Sequence, residues 1–183
     1  MGPVELVFFS IGGMVILIAL ARGYKDELGS TLIILVAILV LSFFEEQLLG
    51  VLTTVGETLL GTQPAISETR NLFLMFAFQV IFAIIVFMGY AGRTLAFPGN
   101  EEPPPQGTLL TLAVGALNAY LIAGTLWYYL DRFGYPVQSI GLICLPLTTL
   151  AQQLVQALPQ RLFESPTYWI VPVAALLILR VRG

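Results

Sequence analysis

Four uncharged apolar stretches dominate this chain: Leu6–Ala21, Leu28–Phe44, Asn71–Gly92 and Gly107–Leu130. Crossing a hydrocarbon core of about 30 Å takes about 20 apolar residues in a helix. In lipid every backbone N–H and C=O must be satisfied internally, so each stretch predicts a transmembrane helix. Composition agrees. Apolar residues make up 57% of the chain and charged residues 10%, where a soluble domain carries about 25% charged residues. The fold expected is all-α: a bundle of four core transmembrane helices, with amphipathic helices and a fifth C-terminal span left open.

The same inventory excludes several functions. A formal net charge of −3 with no basic stripe leaves nothing to neutralise phosphates, so no nucleic acid is expected. The chain has no histidine. That removes Ser-His and Cys-His nucleophile pairs and the usual zinc sets. No G-x-S-x-G, P-loop, CxxC or H-E-x-x-H occurs. No catalytic residue, cofactor or metal is expected, and the chain reads as non-enzymatic. Cys144, the single cysteine, sits in an apolar run and is expected to be a packing residue. Ala19-Leu20-Ala21 has the small-x-small pattern of a signal-peptide cleavage site, but no Lys or Arg precedes the apolar run. The first stretch is therefore expected to stay as a span.

Between the spans the signals change. Arg22–Glu27 is the whole connection between the first two, which makes those helices antiparallel neighbours. Glu45–Arg70 places Glu46, Thr53 and Glu57 on one helical face and predicts an amphipathic extension at the membrane surface. Pro98–Pro105 is rich in proline and acidic residues and predicts an exposed loop. Pro146 and Pro159 bracket Leu147–Leu158, where Gln152 and Gln156 share a face that Gln160 continues. A glutamine row at bilayer depth is costly, so this segment is expected not to cross. Tyr168–Leu179 is short and contains Pro172, and it can be read equally as a fifth crossing or an interfacial helix. Residues 1–136 form the four-helix unit and residues 137–183 a C-terminal extension.

If the last run crosses, Arg22, Lys25, Arg93, Arg180 and Arg182 share one side. Arg70, Arg132 and Arg161 share the other. The positive-inside rule then puts the first group in the cytoplasm. Without that crossing the bias vanishes. Trp127-Tyr128-Tyr129, and Tyr168 with Trp169, fit interfacial belts on the outer side.

Polar residues within spans are functional candidates by default. Glu5 opens the first span, as an interface residue or as the partner of a basic group or proton. Arg22 lies about a bilayer away along the same helix. Glu45-Glu46 reads as a solvated helix end. Gln79 and Asn118 lie in mid-span and should face protein, and a hydrogen bond between them is the natural expectation. A substrate path is the alternative. Thr111, Gly115, Ala119 and Ala123 recur every four residues and predict a close helix contact. Ala19 and Gly23 repeat this pattern more briefly on the first helix.

One resemblance follows from these residues. Glu5, an apolar helix, then Arg22-Gly23-Tyr24-Lys25-Asp26-Glu27-Leu28 and a second helix resemble the colicin V production (CvpA) family. Gly115-Ala116-Leu117, Leu121-Ile122 and Leu130-Asp131 resemble that family's last core helix. The similarity runs from Glu5 to about Arg132. Glu5 stands where the family usually has Asp. Pro103-Pro104-Pro105-Gln106-Gly107 keeps only the glycine of an Asp-Arg…Gly element. Asn118 stands where a basic residue often follows Gly-Ala-Leu.

The resemblance implies a four-helix core in the bacterial inner membrane. It implies a role in production or export of a peptide toxin or in envelope homeostasis. It marks Glu5, Arg22, Gly23 and Glu27 as candidate functional residues. The partners expected are the lipid bilayer and either further copies of the chain or other membrane proteins. A small transporter or channel subunit using Glu5, Gln79 and Asn118 is the competing reading.

Overall fold

The computed structural model describes residues 3–60, 67–91, 97–98, 102–139, 141, 143 and 145–182. Among them are eight α-helices: α1 Val4–Arg22, α2 Tyr24–Phe43, α3 Glu45–Leu60, α4 Ser67–Ala91, α5 Gln106–Arg132, α6 Thr149–Gln156, α7 Pro159–Leu162 and α8 Ile170–Arg182. Four of them, α1, α2, α4 and α5, are long and apolar enough to cross a membrane. The protein is thus an all-α chain of the membrane class. Arg93 and Cys144 lie outside the described residues.

The connection between α1 and α2 is shorter than the sequence suggests. Only Gly23 separates the two helices, and Tyr24–Glu27 is already the first turn of α2. Gly23 sits at φ 89° and ψ 157°, a region essentially reserved for glycine. Its N–H donates to the Ala19 carbonyl, and its own carbonyl accepts from the Glu27 N–H. Asp26 and Glu27 lie in the first turn of α2, where the positive end of the helix dipole favours acidic groups.

α1 and α2 run antiparallel, but they are not close neighbours along their length. α5 packs along both of them. It runs antiparallel to α1: an added Cβ at Gly115 would meet Ala19, and one at Gly12 would meet Ala119. It runs parallel to α2: Asn118 meets Thr31 of α2, and Arg132, at the end of α5, pairs with Glu45, which opens α3 just past the end of α2. α2 is the hub: 56% of its apolar window is buried, against 17% for α1. Ile34, Ala37, Ile38 and Leu41 of α2 pack with Phe78 and Phe82 of α4 in the main core.

The remaining helices are short or lateral. α3 is amphipathic and lies against α4, with Phe73 close over Gly56. α6 has eight residues, a rise of about 12 Å, which is too short to cross. α8 has thirteen, also short of the usual span. It packs beside α2, and Trp169 and Val173 join the main core. The C-terminal extension therefore shares the bundle's interior. α7 is seated on α5, where Pro159 lies over Gly124.

Two expectations need correction. Trp127, Tyr129 and Trp169 do not form an outward belt, because all three are buried. Tyr129 stacks on Phe78 with ring centroids 5.0 Å apart, and the Trp127 indole N–H donates to the Tyr135 hydroxyl at 3.0 Å. Tyr168 is exposed. The glutamine row also breaks at Pro159. Gln152 and Gln156 are exposed, whereas Gln160 turns inward and donates to Thr125 Oγ1 at 2.9 Å.

Candidate functional site

At one end of the bundle the tight Gly23 turn sets two charged groups side by side. Arg22 ends α1 and Glu27 lies in the first turn of α2. Arg22 Nη1 is 3.5 Å from Glu27 Oε1. The Glu27 side chain is fully buried and that of Arg22 is 20% exposed. An isolated polar side chain at such a place would be costly, so its partners matter.

Three further elements supply them. Asn118 of α5 is fully buried. Its Nδ2 donates to Glu27 Oε2 at 2.8 Å and to the Glu27 carbonyl at 3.1 Å. One amide thus holds both the side chain and the backbone of the same residue. Thr31 lies one turn after Glu27, with its hydroxyl 2.8 Å from the Glu27 carbonyl and 2.7 Å from Asn118 Oδ1. A hydroxyl has one proton to donate, so these two acceptors share it. Tyr90, near the end of α4, donates to Glu27 Oε2 at 3.1 Å. Its ring lies under the Arg22 guanidinium, 4.7 Å from centroid to carbon, within the range of a cation–π contact. The network ties α1, α2, α4 and α5 together at one depth.

The sequence-predicted residues divide clearly. Arg22, Gly23, Glu27 and Asn118 come together here. Gln79 does not. The expected Asn118–Gln79 hydrogen bond is absent: Gln79 Nε2 instead donates to the Leu126 carbonyl at 2.9 Å. Leu126 lies about 12 Å further along α5 than Asn118. The middle of an apolar stretch does not fix depth here: α5 is 27 residues long, and Asn118 sits level with the start of α2.

Glu5 lies at the far end of α1. Its Oε1 accepts from the Thr148 hydroxyl at 2.6 Å. The same oxygen of Thr148 accepts from the Ala151 N–H and caps α6. Glu5 thereby fastens α6 to the bundle, while its Oε2 is buried with no hydrogen-bond partner among the described residues. Gly115, Ala119 and Ala123 are buried. Gly115 and Ala119 form the seam against Ala19 and Gly12 of α1. This small-residue stripe is thus occupied within the chain.

Sequence reasoning missed Tyr90 and Thr31. Thr31 carried a usable signal, since it lies four residues after Glu27 on the same helical face. Tyr90 had none beyond being a polar-tipped ring near a span end. A second polar cluster, at the opposite end, was also missed. Arg161 pairs with Asp131 at 2.6 Å, and Arg132 pairs with Glu45. Glu45 is therefore not a freely solvated end. Burial pushes its carboxyl above the ordinary range; Arg132 opposes that shift, and Glu46 adds to it.

Among the described residues no group of acidic, cysteine or histidine side chains could hold a metal ion. Comparison with known protein families, curated proteins and solved structures finds no match to the chain. What the fold and the site define is a class: a helical membrane protein with a charge pair and its hydrogen-bond partners enclosed at one end of a four-helix bundle.

Proposed function

We propose that the chain is a non-enzymatic protein of the bacterial inner membrane that works through contacts with other membrane helices. Its resemblance to the colicin V production family supports a role in toxin production or export, or in envelope homeostasis.

The observation that carries this reading is the exposure of α1. Only 17% of its apolar window is buried, and its main contact within the chain is with α5. At about 100° per residue, Leu6, Gly13, Leu17 and Leu20 fall on one side of α1. All four are exposed. A Cβ on Gly13 would meet nothing within 4 Å, so another backbone could approach closely there. The polar residues support a scaffold over a substrate path. Glu5, Gln79 and Asn118 each bond to a different partner, and none of them to another.

The test is crosslinking in native membranes. In a variant lacking Cys144, a cysteine at Leu17 should crosslink to a second membrane protein or a second copy, and Gly13→Leu should weaken that product. A deletion strain should show altered sensitivity to envelope stress. Absence of any protein crosslink from Leu17, together with full complementation by Gly13→Leu, would overturn the proposal.

A further inference from the structure

The α1–α4 side of the bundle has an open groove floored by α5. It holds a cavity of about 410 Å³, within the range of small-ligand sites. Val15 and Ile18 of α1, Phe82 and Val86 of α4, and Ile122 of α5 line its apolar length. Its polar lining residues are Arg22 and Tyr90.

Arg22 is poised to take a second anion. Its side chain lines the groove and is 20% exposed, and its approach to Glu27, made through Nη1, is a loose 3.5 Å. The other Glu27 oxygen is taken by Tyr90 and Asn118. A guanidinium carries five donors in a planar fork suited to phosphate. Stacking on Tyr90 fixes that plane.

Depth decides between occupants. Arg22 ends α1, and the rise from Val15 to Arg22 is about 10 Å, inside one leaflet of about 15 Å. A lipid of that leaflet would place its head at Arg22 and one chain along the groove. A crossing helix with side chains is about 10–12 Å across and needs far more volume than 410 Å³. We infer that the α1–α4 groove binds one anionic glycerophospholipid, with its phosphate on Arg22 and an acyl chain against Val15, Ile18, Phe82 and Val86. This inference stands apart from the partner face of α1, which lies on the opposite side of that helix.

The experiment uses the full chain, delipidated in mild detergent and titrated with phosphatidylglycerol, phosphatidylcholine or oleate under native mass spectrometry. One phosphatidylglycerol per chain should be retained, roughly tenfold more tightly than phosphatidylcholine, a difference of about 1.4 kcal/mol. Ala83 lines the groove and is exposed, so Ala83→Trp should abolish retention while leaving the Arg22–Glu27 pair intact. Arg22→Gln should abolish the headgroup preference. Leu112→Trp, on an exposed position of α5, should change neither. Equal retention of the two phospholipids, or retention unaffected by Ala83→Trp, would overturn the inference. Retention of oleate in place of phosphatidylglycerol would overturn it in favour of a fatty-acid site.

Discussion

Asn118→Leu is the sharpest single perturbation of the buried network. The two side chains are close in size, so packing changes little and the loss is polar. Asn118 gives two hydrogen bonds to Glu27, at 2.8 and 3.1 Å, and its Oδ1 lies 2.7 Å from the Thr31 hydroxyl. Interhelical hydrogen bonds within membranes average about 0.6 kcal/mol and reach about 1.7. Three bonds at the average put the lower bound near 2 kcal/mol. Glu27 Oε2 would then keep Tyr90 alone among the described residues, and an under-satisfied buried polar group adds to the cost. The expected destabilisation is about 2–4 kcal/mol. Reversible unfolding in mixed micelles would measure it, and double-mutant cycles would assign it. Asn118→Leu with Glu27→Gln should couple strongly, since the two residues touch. Asn118→Leu with Gln79→Leu should be additive, since they do not. A loss below about 0.5 kcal/mol, or coupling to Gln79 and not to Glu27, would refute the reasoning.

Gly23→Ala should cost about 1–3 kcal/mol, because φ 89° with ψ 157° is nearly closed to side chains; thermal unfolding in detergent reads it directly. Gly115→Leu should cost about 1–3 kcal/mol by overpacking, because even a Cβ there would lie 2.6 Å from that of Ala19. Glu45 has its carboxyl raised above 4.5, so the folded state favours its neutral form more than the unfolded chain does. Its contribution is full below that value and declines as pH rises through the raised one. Glu45→Gln should flatten the fall in thermal stability just above pH 4.5, and an unchanged slope would exclude this role. Cysteines at Ser139 and Ser165, in a variant lacking Cys144, should react from the same side of the membrane because α6 is too short to cross; reaction from opposite sides would make this region a span.

The four spans were legible because lipid forces long apolar runs to become helices. The small-residue stripe on α5 was legible because its four-residue period matches a helix face. The partners were less so. Period and depth place Asn118 on a buried face, but whether it meets Gln79 or Glu27 depends on the offset between helices. That offset is set by the one-residue Gly23 turn, the long α5 and the parallel register of α2 with α5, none of which a single helix pattern contains. The aromatic residues misled for a related reason. Trp127, Tyr129 and Trp169 have the composition of an interfacial belt, yet the extension after residue 136 covers Trp127 and carries Trp169 into the main core, while Tyr129 stacks on Phe78 of α4. Gln160 likewise follows the row of Gln152 and Gln156 in sequence, but Pro159 starts a new helix and turns it inward.

Four helices long and apolar enough to cross a membrane form the bundle, and its charge network sits at the end shared by the α1–α2 turn and the start of α5. The most direct test is side-specific labelling of single cysteines at Lys25, Glu46 and Gln106, in intact cells, with Cys144 replaced. Lys25 and Gln106 should react from the cytoplasmic side, and Glu46 from the opposite side. Labelling of Lys25 and Glu46 from the same side, or of Lys25 and Gln106 from opposite sides, would contradict the account.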